Sequence, residues 1–494
     1  MEPLIYELSS PGRIGVNLPK CDVPESPLPE DWVRDELMLP EVGEMQVVRH
    51  FVNLSQMNFA IDKGFYPLGS CTMKYNPKIN EDVARLPGLA LLHPLTDIEG
   101  SQGALALMYQ LQNWLAEVSG FAGVSLVPAA GAQGEFAGIL MIRNYHIDRG
   151  DAQRTKILVP NSAHGTNPAT VSMAGLDVIE LPSDEDGNVD IAALREACAG
   201  DKAKTIAGLM MTVPSTLGLF ERHILDVVQI VHEAGGLLYM DGANMNALMG
   251  NVKPGELGFD VMHYNLHKTF STPHGGGGPG SGAVGVAAHL LDYLPGPIVQ
   301  IIEDADEDND APLYGLVEPS KTIGKLKAFQ GNFGMHIRAY AYIRVYGGKG
   351  LTDVSRHAVL NANYVRAQLK DTYHLPYPRI CGHEFVMEGR FADAPDIHAL
   401  DISKRLMDYG IHPPTNYFPL IVPEALLIEP TETETKATLD EFISVMKKIA
   451  QEARETPELL HEAPHDMPVT RVDEVYAAKQ LVLCCAPVMK GVAG

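Results

Sequence analysis

The stretch FDVMHYNLHKTFSTPHGGGGPG, residues 259–280, joins an apolar run to a lysine and then to four consecutive glycines. Residues 259–265 mix β-branched, aromatic and apolar side chains and predict a buried strand. Lys268 therefore falls just past a strand end, on a loop too rich in glycine to continue as helix or sheet. A hydroxyl cluster, Thr269, Ser271 and Thr272, follows it, and then His274. Runs of glycine let a backbone turn tightly or approach a ligand closely. A lysine held there is a candidate Schiff-base nucleophile. It is equally a surface lysine ahead of a flexible loop. These residues alone leave both readings open.

Outward from this stretch, strands and helices alternate. KILVP (156–160), DVIEL (177–181), TIAGLMMT (205–212), GGLLYMDG (235–242) and GAVGVAA (282–288) predict strands. IAALREA (191–197) and ILDVVQIVHEA (224–234) predict helices, as do the periodic segments 104–118 and 135–147. The strands are near-continuous apolar runs, as expected of a sheet covered by helices on both faces. The fold class is therefore α/β with a mainly parallel sheet. Helices over 331–346 and 351–370 lead to a strand at 384–388, a helix at 396–409, a strand at 426–430 and a helix at 438–453. This tail predicts a smaller C-terminal α+β domain. The expected organisation is an extended N-terminal arm (1–75), a large domain (76–335), a small domain (336–455) and a proline-punctuated extension (456–494). The arm is rich in proline, with one helix expected after Pro40, and suits clasping a neighbouring chain. Limited proteolysis that trimmed it without affecting assembly would count against that role.

Composition narrows the function. The chain has 494 residues, 46% hydrophobic and 20% charged, and a formal net charge of −24. That balance disfavours nucleic acid or an anionic membrane as a partner. No apolar run is long enough to span a bilayer. The N-terminus MEPLIYELSS resembles neither a secretory signal nor a transit peptide. The six cysteines show no metal-ligand spacing, so no metal site is expected and a reducing cytoplasm is the expected location. The acidic run EDADEDND (303–310) predicts a solvated loop.

Four short sequences at strand ends or turns can converge, because ligands of open α/β sheets bind beyond the carboxyl ends of the strands. AAGAQGEFAG (129–138) enters a helix and can present backbone N–H groups to an anion such as phosphate, or simply make a close helix–strand turn. It matches no nucleotide fingerprint. His164 in AHGTNPA (163–169) can lie against a flat ligand or cap a helix. Asp241 in YMDGANMNA (239–247) is a carboxylate at depth that needs a partner, unless it is an N-cap. Lys268 is the fourth. Together, a phosphate turn, a flat ring, a deep carboxylate and a lysine fit pyridoxal 5'-phosphate.

The sequence resembles subunit 2 of the two-chain form of glycine decarboxylase, the P-protein of the glycine cleavage system. The matching segments are GSCTMKYNP (69–77), AAGAQGE (129–135), HGTNPA (164–169), VPSTLGLFE (213–221), DGANMNA (241–247), NLHKTF (265–270) and IEPTETE (428–434), with RVDEVYAAKQLVLCCAP (471–487) near the end. The resemblance spans most of the chain. It implies the pyridoxal-phosphate-dependent transferase fold type I, and catalytic roles for Lys268, His164 and Asp241. Ala132, Gln133, Ala243 and His267 are the further expected cofactor contacts. It also implies decarboxylation of glycine, transfer of the aminomethyl group to the lipoyl arm of H-protein, and a separate subunit 1 in an α2β2 assembly. Ser70, Cys71, Thr72 and Tyr75 could line the channel a lipoyl arm needs. Cys484 and Cys485 could pair with Cys381, although inert thiols suit a reducing cytosol better. The alternatives are another fold type I enzyme acting on an amino acid (a decarboxylase, desulfurase or aminotransferase) and a non-catalytic scaffold subunit.

Overall fold

The computed structural model describes residues 2–33, 37, 39–274, 280–305 and 311–481. The glycine run after Lys268, most of the acidic run, and Cys484 and Cys485 lie outside these residues. The chain divides into two compact units, Met1–Gly64 with Glu462–Gly494, and Phe65–His461. In the first unit, extended chain leads to the expected helix after Pro40, Glu44–Met57. His50 of that helix meets Glu2 at 3.2 Å.

The second unit is built on a seven-stranded sheet. Its strands are β1 (Gly123–Ser125), β2 (Lys156–Pro160), β3 (Asp177–Leu181), β4 (Ile206–Thr212), β5 (Leu237–Gly242), β6 (Val261–Asn265) and β7 (Gly282–Val286), in the order β1-β7-β6-β5-β4-β2-β3. The pairings from β3 through β2, β4 and β5 to β6 are parallel. Only β7 is antiparallel to its neighbours β6 and β1. Successive residues of the central strands enter opposite cores. Leu209, Met211, Leu238, Met240 and Met262 pack on one face. Met210, Leu237, Tyr239 and Val261 pack on the other. Burial on both faces is why these strands read as unbroken apolar runs. The ends of β2, β4, β5 and β6 share one edge, and the loops leaving them begin the site.

Two further strands, β8 (Ile298–Glu303) and β9 (Leu313–Val317), form a hairpin on either side of the acidic run. The helical segments expected over 331–346 and 351–370 are one stretch, Phe333–Leu369, broken at Gly347 with φ 60°. A second sheet follows, with β10 (Phe385–Glu388), β11 (Thr415–Asn416) and β12 (Ala425–Ile428) in the antiparallel order β10-β12-β11. Phe385, Met387, Leu426 and Ile428 face the helices Ala399–Asp408 and Lys436–Glu455, meeting Ile402, Leu406, Phe442 and Met446. Val386 and Leu427 face the other way, against Leu217 and Leu219 from the loop after β4. That contact brings the small sheet over the edge of the large one. No helix among the described residues is long and apolar enough to cross a membrane.

Candidate functional site

The loops after β2, β4, β5 and β6 surround a cavity of about 250 Å³, closed from the other side by residues of the small sheet. Ala132, His164, Asp241, Ala243, His267 and Lys268 all line it. Residues scattered through the chain thus meet at one edge of the sheet, as open α/β topology dictates.

The helix Gly131–Asp148 points its N-terminus into the cavity through Gly131 and Ala132. A Cβ on Gly131 would stand 2.6 Å from Asn265 Oδ1, so only glycine lets the helix end press this closely on the end of β6. The Gln133 side chain is engaged elsewhere. Its oxygen accepts the Ala129 N–H at 2.6 Å and its amide donates to the Leu326 carbonyl at 2.7 Å. The backbone N–H of Gln133 remains with the first turn, where unpaired N–H groups favour an anion.

Asp241 ends β5. Its Oδ1 accepts the Ala243 N–H at 3.1 Å and its Oδ2 accepts the Asn167 amide at 3.0 Å. The same Asn167 amide reaches Glu135 Oε2 at 3.0 Å, and Thr166 Oγ1 donates to Glu135 Oε1 at 2.9 Å. Two buried carboxylates therefore share one amide. Burial, then the charge of Asp241, pushes the Glu135 carboxyl up to about 7. Burial would also raise Asp241, but the His263 ring, the Asn167 amide, the Lys268 ammonium and the Ala243 N–H outweigh it and hold it below the usual carboxylate range. Asp241 is the charged member of the pair and Glu135 the one that keeps a proton. His263 Nε2 lies 3.6 Å from Asp241 Oδ1, and Tyr239 Oη sits 2.6 Å from His263 Nδ1. Burial keeps the Tyr239 phenol protonated, so it donates to Nδ1 and leaves the ring proton on Nε2, facing the carboxylate.

His164 caps the same corner. Its Nδ1 takes the Thr166 N–H at 3.2 Å, and its ring meets Phe418 edge-on at 5.3 Å. Burial lowers its basicity. His267 accepts the Ser281 N–H and is pushed down to about 3 by burial and by the charges of His274 and Lys268. Both rings are neutral at pH 7. Lys268 is half-buried, and its backbone N–H donates to the Asn265 carbonyl at 2.9 Å, a tight turn straight off β6.

The opposite wall holds groups the sequence reading assigned no role. His383 and Glu384 line the cavity just before β10, and Glu429 follows β12. Facing them is the loop 67–72, stitched to β12 through Gly69 N–H to the Leu427 carbonyl and Glu429 N–H to the Pro67 carbonyl. Ser70 and Thr72 have φ of 65° and 50° in this loop, an unfavourable region for non-glycine residues. Carboxylates hold them there. Ser70 N–H donates to Glu384 at 2.6 Å, and Thr72 donates to Glu429 through its N–H at 3.1 Å and its hydroxyl at 2.8 Å. Of the four expected channel residues, only Ser70 lines the cavity. Thr72 is tied to Glu429. Burial raises the Cys71 thiol, and Tyr75 is exposed, with Lys78 over its ring. Cys381 is buried, its thiol pushed up to about 12 by burial.

The cavity also suits a polar occupant. Thr212 Oγ1 and Asn265 Oδ1 line it, are buried, and have no hydrogen-bond partner among the described residues. Such groups are costly unless a ligand or water meets them. A neutral ring, a charged carboxylate, a lysine and a helix N-terminus around such a space fit pyridoxal phosphate.

Known proteins carry the same arrangement of sequence. Residues 354–467 match the family described as glycine dehydrogenase, C-terminal domain. A probable glycine dehydrogenase (decarboxylating) subunit 2 of Alkaliphilus oremlandii is 55% identical over 486 residues, covering 97% of each chain. The protein of the same name from Halalkalibacterium halodurans is 54% identical over 490 residues, covering 98% of each. The chain belongs to the glycine dehydrogenase (decarboxylating) subunit 2 family. Membership makes it a subunit of a glycine dehydrogenase (decarboxylating) enzyme. Among solved structures, an inhibitor-bound glycine decarboxylase (P-protein) of the glycine cleavage system is similar with a TM-score of 0.71, at 19% identity over 85% of this chain and 93% of that one. An Oryza sativa TDC solved with PLP and tryptamine gives 0.63, at 15% identity over 86% and 90%. The fold is that of the pyridoxal-phosphate-dependent enzymes of fold type I.

In this family member, Glu135, Thr166 and Asn167 complete the corner around Asp241. All three lie inside the motifs AAGAQGE and HGTNPA, so their position beside the site was legible, but their pairing with Asp241 was not.

Proposed function

We propose that this chain decarboxylates glycine with pyridoxal 5'-phosphate in the cavity between the two sheets, and passes the aminomethyl group to the lipoyl arm of H-protein. The observation that carries this is the charged Asp241 and Lys268 facing one polar cavity at a helix N-terminus. When bound, pyridoxal phosphate supplies a protonated ring that accepts the electron pair left as CO2 departs. Asp241 would hold the proton on the ring nitrogen, and its neighbours keep it charged for that purpose. Gly131, Ala132 and Gln133 offer their N–H groups to the phosphate. His164 supplies a neutral, flat face and does not compete for the proton. Lys268 would supply the amine that tethers the cofactor. Ala243 fixes Asp241 through its N–H, and His267 lines the space beside the lysine. The relatives' names include a numbered subunit. A separate subunit 1 in an α2β2 assembly, in the cytoplasm, accordingly belongs to this reading.

The test is glycine-dependent exchange of labelled bicarbonate, with subunit 1 present and with lipoylated H-protein added. Exchange should be stimulated by H-protein and fall at least about a thousandfold in Lys268→Ala, with loss of the cofactor's absorbance band. A wild-type complex that binds cofactor yet shows no glycine-dependent exchange would refute the reading.

A further inference from the structure

The wall opposite Asp241 has chemistry of its own. One oxygen or nitrogen from each of His383, Glu384 and Glu429 lies within 4.8 Å of those from the other two. All three side chains are buried. Two carboxylates this close in a dry site cannot both be charged, so one keeps a proton. Hydrogen bonding decides which. Glu429 accepts from the Thr72 N–H and hydroxyl and from the amides of Asn244 and Asn246, the last two at 2.9 Å. Donors converging on both oxygens are the surroundings of an anion. Glu384 accepts from Ser70 N–H alone among the described residues. Burial, then the charge of Glu429, raises the Glu384 carboxyl well above the usual range, against the opposing pull of Lys268. The titratable groups facing it are Glu429, Lys268, His383, Cys71 and Cys381. His383 is neutral because of burial, and neither ring nitrogen has a hydrogen-bond partner among the described residues. Its Nε2 stands 3.7 Å from Glu384 Oε1. An unpartnered imidazole and a carboxylic acid thus line the same cavity as Lys268.

We propose that Glu384 is the proton donor of the transfer half-reaction, held protonated beside Glu429 and served by His383. This rests on the glycine-to-lipoyl reading above. In that step the C–CO2 bond of glycine breaks and its electron pair forms a bond from carbon to one lipoyl sulfur. The S–S bond breaks in turn. The carbon is oxidised, the disulfide is reduced, and the second sulfur leaves as a thiolate. Glu384 gives that thiolate its proton. It recovers one from the ammonium of the next glycine, which sheds a proton when its nitrogen bonds the cofactor. The proton count closes with no outside acid, since the proton lost by the ammonium equals the one gained by the thiol.

The experiment uses the full chain with cofactor, subunit 1 and lipoylated H-protein. In Glu384→Gln, cofactor absorbance and glycine affinity should stay within about threefold, while transfer falls on the order of 100-fold. In Glu384→Ala, transfer should recover with rising acetic acid in the buffer, whereas Glu384→Gln, which leaves no space, should not recover. Independently of turnover, the wild type should show at neutral pH, over Glu384→Gln, the infrared carbonyl stretch of one additional protonated carboxyl, the contribution of Glu135 cancelling in the difference. Unchanged transfer in Glu384→Gln, parallel loss of glycine binding and transfer, absence of rescue, or absence of that infrared signal in the wild type would each overturn the proposal. Failure of the wild type itself to transfer would instead strike the functional reading, and the infrared measurement would still report on Glu384.

Discussion

Two walls of one cavity carry the same trio, a histidine and two buried carboxylates, built by different routes. On the large sheet, Glu135, Asp241 and His263 come from a helix and two adjacent parallel strands. On the small sheet, His383, Glu384 and Glu429 flank two antiparallel strands. Each pair holds one negative charge and one proton, because like charges cannot both survive without water. The difference lies in which member faces the work. At the large sheet the charged carboxylate lines the cavity with its protonated partner, and both share the Asn167 amide. At the small sheet the protonated carboxylate lines the cavity, and the charged one is sealed behind it by Thr72, Asn244 and Asn246. One wall presents a fixed anion and the other a movable proton. Composition alone does not decide the role of a carboxylate. The charges and donors gathered around it do: the His263 ring and Lys268 favour the anion at Asp241, and converging N–H and O–H groups favour it at Glu429.

The sharpest way to break the comparison is Asp241→Asn. It removes the fixed anion while sparing the shape, and should lower glycine-dependent bicarbonate exchange on the order of 100-fold or more. Both half-reactions should suffer together, in contrast to Glu384→Gln. If the exchange were unaffected, the large-sheet wall would not be the electrostatic one.

Glu135→Gln sharpens it further through pH. The Glu135 carboxyl moves from an ordinary 4.5 up to about 7 on folding. The folded state then binds its proton more tightly than the unfolded chain. Its contribution is fully present below about pH 4.5 and is lost as pH rises toward 7, at about 1.4 kcal/mol per pH unit. The glutamine variant should lack this decline and gain up to about 3 kcal/mol relative to wild type above pH 7. Urea unfolding of the cofactor-free protein at several pH values measures it. Equal pH slopes in the two proteins would show that Glu135 does not hold its proton.

The smallest expected effect concerns how the small-sheet wall is pinned. Ser70 sits at φ 65° while its N–H serves Glu384. Ser70→Gly should keep the N–H and relieve the backbone, for a gain of up to about 1 kcal/mol in urea unfolding after the glycine's added chain entropy. A clear loss would mean that the hydroxyl, not the backbone, secures this loop.

The same contrast explains what could be read from sequence. The large-sheet wall was legible because its parts are local signals. Apolar runs ending in Asp241 and in the loop to Lys268 mark strand tips, and small residues at 129–134 mark the turn into a helix. Seven of the site positions named from sequence rest on such tips and turns. The small-sheet wall was not legible. Glu384 reads as the opening residue of the strand EFVME, and Glu429 as one of several acids in IEPTETE. Nothing local says that two strand ends will bring them together under the loop 69–72. That loop itself reads as a polar segment, and its true partner, β12, lies far along the chain. The hairpin of β8 and β9 was hidden for a similar reason. Its strands flank a run of acids that dominates the local composition. The break at Gly347, by contrast, was visible as the gap between two helical periods.

The stitching of residues 67–72 to β12 has a mechanical consequence. The loop adds itself to the small sheet like an outer strand, with Leu68 bridging Ile428. A side chain at Gly69 would stand 2.6 Å from the Leu427 carbonyl, so the two backbones are in direct contact. Ser70, Glu384, Thr72 and Glu429 therefore belong to one jaw. If that jaw opened to admit a long substrate arm, the acid, its charged neighbour and the N–H that steadies it would travel together. Asn244 and Asn246, on the loop after β5, would stay behind, so the charged neighbour would lose two of its four donors and the hold on the proton would depend on whether the jaw is open.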